Sequence, residues 1–182
     1  LVTGAGGGMG QAIMKKLTDE GYFVYAIDLR DFDAPENAKK ILCDLRDEAS
    51  VNAGFESVSE ECDSLFAIIH TAGIYDLDSL VEMSEERFKR IFDINLFGLY
   101  RVNKTFLPLL KNGSRIVITS SELAPLDPLP FTGIYAITKA AVEKYAYSLR
   151  MEMNLLGVNG ETDYCKECDD CLDIRLMGVH RA

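Results

Sequence analysis

The sequence predicts a doubly wound parallel α/β sheet with helices on both faces, and three observations carry that expectation. Short apolar runs rich in β-branched residues alternate with segments of helical period, a glycine-rich stretch joins the first run to the first helical segment, and an acidic residue closes the second run. The alternation carries the most weight, because successive strands separated by helices run parallel and are buried on both faces.

In chain order, the first strand leads from Leu1 into the glycines, and apolar runs at 22–29, 40–43, 65–70 and 115–119 read as the strands that follow. Helical period marks 10–20, 48–61, 84–111 and 135–156. In the third of these segments Ser84 is placed to cap the start, and Glu85 and Glu86 suit the positive end of the helix dipole. Phe88, Ile91, Phe92, Leu99, Val102 and Phe106 then recur at three- and four-residue steps. Pro108 is expected to bend or stop that helix, and Asn112-Gly113 to turn the chain into the next strand. The proline-rich stretch 125–130 reads as an ordered loop.

With 182 residues, 48% of them hydrophobic, the chain suits a single well-filled domain. Residues 1–159 form that domain in this reading, and 160–182 an atypical acidic tail containing cysteines. A net charge of -10 opposes phosphate backbones and anionic lipid, so neither nucleic acid nor a membrane is an expected partner. No apolar run approaches the roughly 18 residues a membrane span needs, and a soluble cytoplasmic protein with reduced thiols is expected. Because Leu1 falls inside a strand, residues before it are expected to be missing.

The stretch from Thr3 to Gly10 ends a strand in glycines and opens a helix, where backbone can approach a ligand without Cβ atoms in the way. Free amides and the helix dipole there favour a pyrophosphate. The spacing, Thr3-Gly4, three residues, then Gly8-Met9-Gly10, is a variant of the dinucleotide fingerprint and lacks the Gly-Lys-Ser/Thr of an ATP-binding loop. A flexible turn would look similar if it stood alone. Asp28, followed by Leu29, closes the next strand about 20 residues on, where a carboxylate accepts hydrogen bonds from ribose hydroxyls and repels a 2′-phosphate. NAD(H) is therefore favoured over NADP(H), with Arg30 close enough to soften the preference.

Tyr135 and Lys139, four apart on a helix, share one face. A tyrosine with its ordinary pKa near 10 is a poor base at neutral pH, and a neighbouring ammonium favours the phenolate. Upstream, Ile116-Val117-Ile118-Thr119-Ser120-Ser121 is a buried-strand pattern that delivers hydroxyls at its C-terminal end, where ligands bind in open α/β sheets. Each feature alone is common. Together they describe proton transfer coupled to hydride transfer at a nicotinamide.

These residues resemble the short-chain dehydrogenase/reductases in their common single-domain form, with a Rossmann-type sheet, from Leu1 to about Asn159. In that resemblance Gly4, Gly8, Met9 and Gly10 form the cofactor turn, Asp44-Leu45 looks like the adenine-contacting pair, and Thr71-Ala72-Gly73 like the end of the Asn-Asn-Ala-Gly segment. Asn95, Ser121, Tyr135 and Lys139 match the catalytic tetrad. The resemblance implies that Tyr135 is the general acid/base, that Lys139 lowers its pKa and holds the nicotinamide ribose, that Ser121 orients the substrate, and that Asn95 anchors a water behind Lys139. It also implies a homodimer or homotetramer built on the helices at 84–111 and 135–156.

Three departures stand out. His70-Thr71 replaces Asn-Asn, with His70 expected to be a satisfied core histidine. The interval from Ser121 to Tyr135 is one residue longer than usual, which leaves Ser120 as an alternate. Beyond Asn159 the expected strand, Pro-Gly turn and substrate-binding elements are not recognisable, so truncation, a changed reading frame and omitted residues are all compatible with the sequence.

The expected reaction interconverts a secondary alcohol and a ketone, and Leu123, Leu126, Leu129 and Phe131 suggest an apolar substrate. Two other readings are compatible with these residues: a non-catalytic, redox-sensing nucleotide-binding module, and a sugar-nucleotide epimerase or dehydratase. Cys165, Cys168 and Cys171, with Asp170 or His180, offer a weak metal-site pattern without a second cysteine pair, so no metal is expected.

Overall fold

The computed structural model describes residues 1–125 and 129–155. Leu126, the tail at 160–182 and its three cysteines lie outside the described residues. Five strands, β1 (Val2–Thr3), β2 (Val24–Asp28), β3 (Ala38–Leu42), β4 (Leu65–His70) and β5 (Leu110–Ile118), form one parallel sheet in the order β3-β2-β1-β4-β5. β1 therefore lies at the centre, paired to β2 through Val2 and Ala26 and to β4 through Val2 and Ile69. The order reverses direction at β1, and in open parallel sheets the crevice at such a point receives the ligand.

Alternation along the strands sorts side chains to two faces. Val2, Val24 and Ala26 pack with Ile13 and Met14 of α1 (Gly8–Asp19) on one side. Tyr25, Ile27, Ile68 and Ile116 pack on the other with Val51 of α2 (Glu48–Ser59), Val102 and Phe106 of α4 (Leu99–Phe106) and Val142 of α5 (Gly133–Leu155). The helices thus cover both faces, as the alternating pattern predicts.

Two elements differ from expectation by more than a shift of their ends. The segment read as one helix over 84–111 is broken into α3 (Glu85–Phe92), a π-helical turn over Asp93–Gly98, α4, and a 3₁₀ turn over Leu107–Leu109 that contains Pro108. Its start is as predicted, with Ser84 Oγ accepting from Arg87 N at 3.3 Å. The second difference is Asn112-Gly113, which turns the chain within β5 and not ahead of it. Pairing jumps from Leu65 with Leu110 to Ala67 with Arg115, so the intervening residues of β5 bulge out, and Gly113 takes φ +90°, which a residue with a Cβ adopts at a cost. Ser114 secures the bulge, its Oγ accepting from Lys111 N at 2.9 Å and donating to Leu65 O at 2.6 Å.

Candidate active site

The C-terminal ends of all five parallel strands lie at one edge of the sheet, and every predicted site residue up to Ser121 sits at that edge, on the segments that leave it or on the π turn beside it. Gly4 follows β1 with φ +70°, and a Cβ there would lie 2.6 Å from Ala72 N. A Cβ on Gly10 would lie 2.2 Å from Gly4 O. Both glycines are thus required by close backbone approach. Gly8 is different: it is exposed at the start of α1, and nothing lies within 4 Å of where its Cβ would be. Gly7 caps α1 without a side-chain hydrogen bond, so the first turn presents amides toward that open space.

Asp28 faces the same turn. Its carboxylate accepts from Gly6 N at 3.0 Å and from Arg30 N at 3.0 Å, while Leu29 beside it is exposed. Asp44 is held by Arg46, whose Nε and Nη2 donate to the two carboxylate oxygens, and this pairing holds the Asp44 carboxyl below its usual range. Leu45 packs against the core and its carbonyl accepts from Arg101 Nη1 at 3.1 Å. Thr71 Oγ1 donates to Thr3 O at 2.7 Å, tying the end of β4 to the end of β1. That bond supplies, by a hydroxyl, part of the strand knitting that an asparagine amide would give.

The chemistry-bearing side chains come from three elements. Asn95, on the π turn, is 3% exposed; its Oδ1 accepts from Ile74 N at 2.8 Å, and its Nδ2 donates to Ile74 O at 3.0 Å and to Thr138 Oγ1 at 3.1 Å. Lys139 on α5 is 6% exposed, and its Nζ donates to Thr119 O at 2.9 Å at the end of β5. The same Nζ lies 5.7 Å from the centre of the Tyr135 ring. A Cβ added to Gly73 would lie within 4 Å of both Asn95 Oδ1 and Lys139 Nζ, so Gly73 keeps the space between them clear. Tyr135 itself is half-buried and packs edge-on against Tyr75, ring centres 4.6 Å apart.

Ser121 is half-buried, its Oγ accepting from Leu123 N at 3.2 Å. Ser120 is buried, and its hydroxyl has no hydrogen-bond partner among the described residues. Met9 reaches across from the glycine turn to Thr119, whose Oγ1 lies 3.7 Å from the sulfur.

Several residues of this cluster escape a sequence reading. Thr138 is legible in hindsight, three positions from Tyr135 on the same helix. His70 is buried as predicted, between Thr3 and Asn103, and burial lowers its pKa to about 4. Nothing local points to Asn103 as its partner. No group of three or more His, Cys, Asp or Glu side chains suited to a metal occurs among the described residues, and none of their helices is long and apolar enough to cross a membrane.

Against known proteins, the profile described as short chain dehydrogenase matches residues 1–161. The chain belongs to this family. Among curated relatives, estradiol 17-beta-dehydrogenase 2 of Mus musculus is 29% identical over 173 residues, covering 87% of this chain and 45% of the relative. The mitochondrial D-beta-hydroxybutyrate dehydrogenase of Rattus norvegicus is 28% identical over 173 residues, covering 87% and 50%. The chain thus spans about half the length of these curated relatives. Among solved structures, the ligand-free aldohexose dehydrogenase of Thermoplasma acidophilum superposes with a TM-score of 0.78 at 29% identity, covering 83% of this chain and 60% of that one.

Proposed function

We propose that this short-chain dehydrogenase interconverts a secondary alcohol and a ketone using NAD(H), with Tyr135 as the general acid/base. The observation that carries the reading is the burial of the Lys139 ammonium beside Tyr135 and Asn95, at the sheet edge where the glycine turn ends. A buried cation four residues from a phenol favours the phenolate and supplies a base near neutral pH.

The turn suits the cofactor: the uncapped start of α1 and the open space over Gly8 fit a pyrophosphate, with the Asp28 carboxylate on the ribose side. Gly4 and Gly10 shape this cradle, Leu29, Asp44 and Leu45 flank the adenine, and Thr71, Ala72 and Gly73 line the approach to the nicotinamide. When bound, the nicotinamide supplies the hydride acceptor or donor. Tyr135 takes the alcohol proton during oxidation and returns it during reduction. Lys139 steadies the phenolate, Ser121 holds the substrate oxygen, and Asn95 fixes the loop after β4 through Ile74. Asp28 favours NAD(H), since a 2′-phosphate would meet its negative charge.

The substrate in this reading is apolar. Exposed Tyr75, Leu77, Leu80, Leu129 and Phe131 lie on the two loops flanking Tyr135, which are joined by Asp78 N donating to Phe131 O at 3.0 Å. A homo-oligomer is supported by the exposed Phe97 and Tyr100 on the π turn and α4, and by Tyr147 and Met151 on α5. Residues 1–159 act as the catalytic domain.

The test is calorimetric titration with NADH and with NADPH, joined to turnover of apolar ketones and alcohols by the parent chain and Tyr135→Phe. Selective NADH binding with turnover lost about 10²-fold or more in the variant is expected. Selective NADPH binding overturns the role of Asp28, and turnover indifferent to Tyr135 overturns the mechanism.

A further inference from the structure

The loop between β4 and α3 alternates in an inverted sense: Tyr75 and Leu77 are exposed, while Asp76 and Asp78 are half-buried. One guanidinium gathers both carboxylates. Arg87, in the first turn of α3, donates to the two oxygens of Asp76 through Nε, at 3.3 Å, and through Nη2, and it donates to Asp78 through Nη1. The helix dipole disfavours a cation in a first turn, so the helix itself gains nothing from arginine there. What the planar fork does supply is a grip on two partners at once, which a lysine ammonium does not reproduce.

Asp78 carries that grip to a second loop. Its N donates to Phe131 O at 3.0 Å, ahead of α5. Phe131 has φ +67°, the one non-glycine residue in the left-handed region among the described residues, a conformation that its Cβ makes costly and that its surroundings must hold. Leu80 presses on the start of α5, since a Cβ on Gly133 would lie 2.7 Å from Leu80 Cδ1. Tyr75 meets Tyr135 edge-on.

We propose that Arg87 is a positioning residue for substrate: by drawing Asp76 and Asp78 onto α3 it turns Tyr75 and Leu77 outward, and through Asp78 it holds Phe131, so that these three side chains form one uncharged wall beside the Tyr135 phenol. The inference rests on the dehydrogenase reading given above and deepens it, because it says what keeps charge off the face that an apolar ketone would meet. Arg87 itself touches neither substrate nor cofactor. Its effect therefore falls on substrates large enough to reach the wall.

The test compares Arg87→Gln in the full chain with Lys89→Gln, which removes the same charge from the same helix but whose partner is Glu85. Arg87→Gln is expected to raise KM for acetylnaphthalene about fivefold with kcat little changed, while KM for butanone and the dissociation constant of NADH stay as in the parent. Its melting temperature should stay within about 4 °C of the parent, as for other exposed ion pairs. Exchange of the Asp78 amide hydrogen, followed by NMR, should quicken about tenfold. Lys89→Gln should change none of these, and in a Tyr75→Ala background the KM effect of Arg87→Gln should shrink, because part of it acts through that ring. An unchanged KM for acetylnaphthalene overturns the proposal, as does an equal rise for butanone or the same pattern in Lys89→Gln. Absence of any Tyr135-dependent turnover in the parent sinks the dehydrogenase reading instead, and exchange at Asp78 then decides by itself whether Arg87 holds the two loops.

Discussion

Replacing Gly8 by alanine should make the protein slightly more stable and a poorer binder of NADH. Gly8 is the first residue of α1 and is exposed, and a Cβ built on it meets no atom within 4 Å, so the added methyl strains nothing in the free fold. The unfolded chain loses conformational freedom, and the gain in such cases is about 0.4–1 kcal/mol. For a domain of this size that raises the melting temperature by roughly 1–4 °C. The same methyl stands where the pyrophosphate would approach the amides of the first turn. Loss of close approach there should weaken binding by about 1.4 kcal/mol or more, a factor of ten in Kd. Gly10→Ala provides the contrast: its methyl would sit 2.2 Å from Gly4 O and 2.7 Å from Ala5 Cα, backbone atoms with little room to yield. That variant should lose about 3 kcal/mol of stability, and binding with it. Thermal melts and NADH calorimetry on both variants are sufficient. A Gly8→Ala protein that binds NADH as tightly as its parent would show that the pyrophosphate does not lie over this turn.

Three further outcomes can be measured. Asp28→Ser should remove the charge that opposes a 2′-phosphate and raise the affinity for NADPH relative to NADH about tenfold, read from the ratio of the two dissociation constants. His70 titrates at about 4 in the fold against 6.5 for a free imidazole, so below 6.5 the unfolded chain gains a proton that the fold refuses and stability falls as the pH drops toward 4. This contributes up to about 3 kcal/mol, and urea midpoints of His70→Gln compared with the parent at pH 7 and pH 4.5 should show that part of the slope removed. Tyr75→Ala should raise KM for apolar ketones several-fold while leaving NADH affinity unchanged, because Tyr75 is exposed beside Tyr135 on the loop after β4, away from the glycine turn.

Much of the fold was legible because its signals are local. Residues 65–70 form a continuous apolar run and appear as β4 with those bounds, and the glycines from Gly4 to Gly10 mark the passage from β1 to α1. β3 begins at Ala38, ahead of the run at 40–43, because Lys39, like Lys40 within that run, can occupy an edge strand, where solvent receives one side. The π turn was not legible. Ile91, Asn95 and Leu99 are all buried at four-residue steps, a spacing compatible with a continuous helix, and the wider winding depends on packing. Asn-Gly reads correctly as a place where the chain turns, but the sequence does not say that the pairing to β4 resumes beyond it. At the site, each of Asp28, Tyr135 and Lys139 announces itself by chemistry and spacing. The His70, Asn103 and Tyr145 chain does not, since it exists only because α4 and α5 stack over the end of β4.

The contact between Gly4 and Ala72 also sets an order of events in time. β1 lies at the centre of the sheet, and the glycine turn takes its shape partly from the backbone at Thr71 and Ala72, 67 to 68 positions later in the chain. A polypeptide emerging from the ribosome N-terminus first therefore exposes the turn long before the partner that completes it, and closing so long a loop carries an entropic cost before any contact repays it. If this turn is the nucleotide's cradle, as proposed above, a nucleotide would have nothing finished to grip during that interval, and cofactor would select only chains whose β4 has already docked.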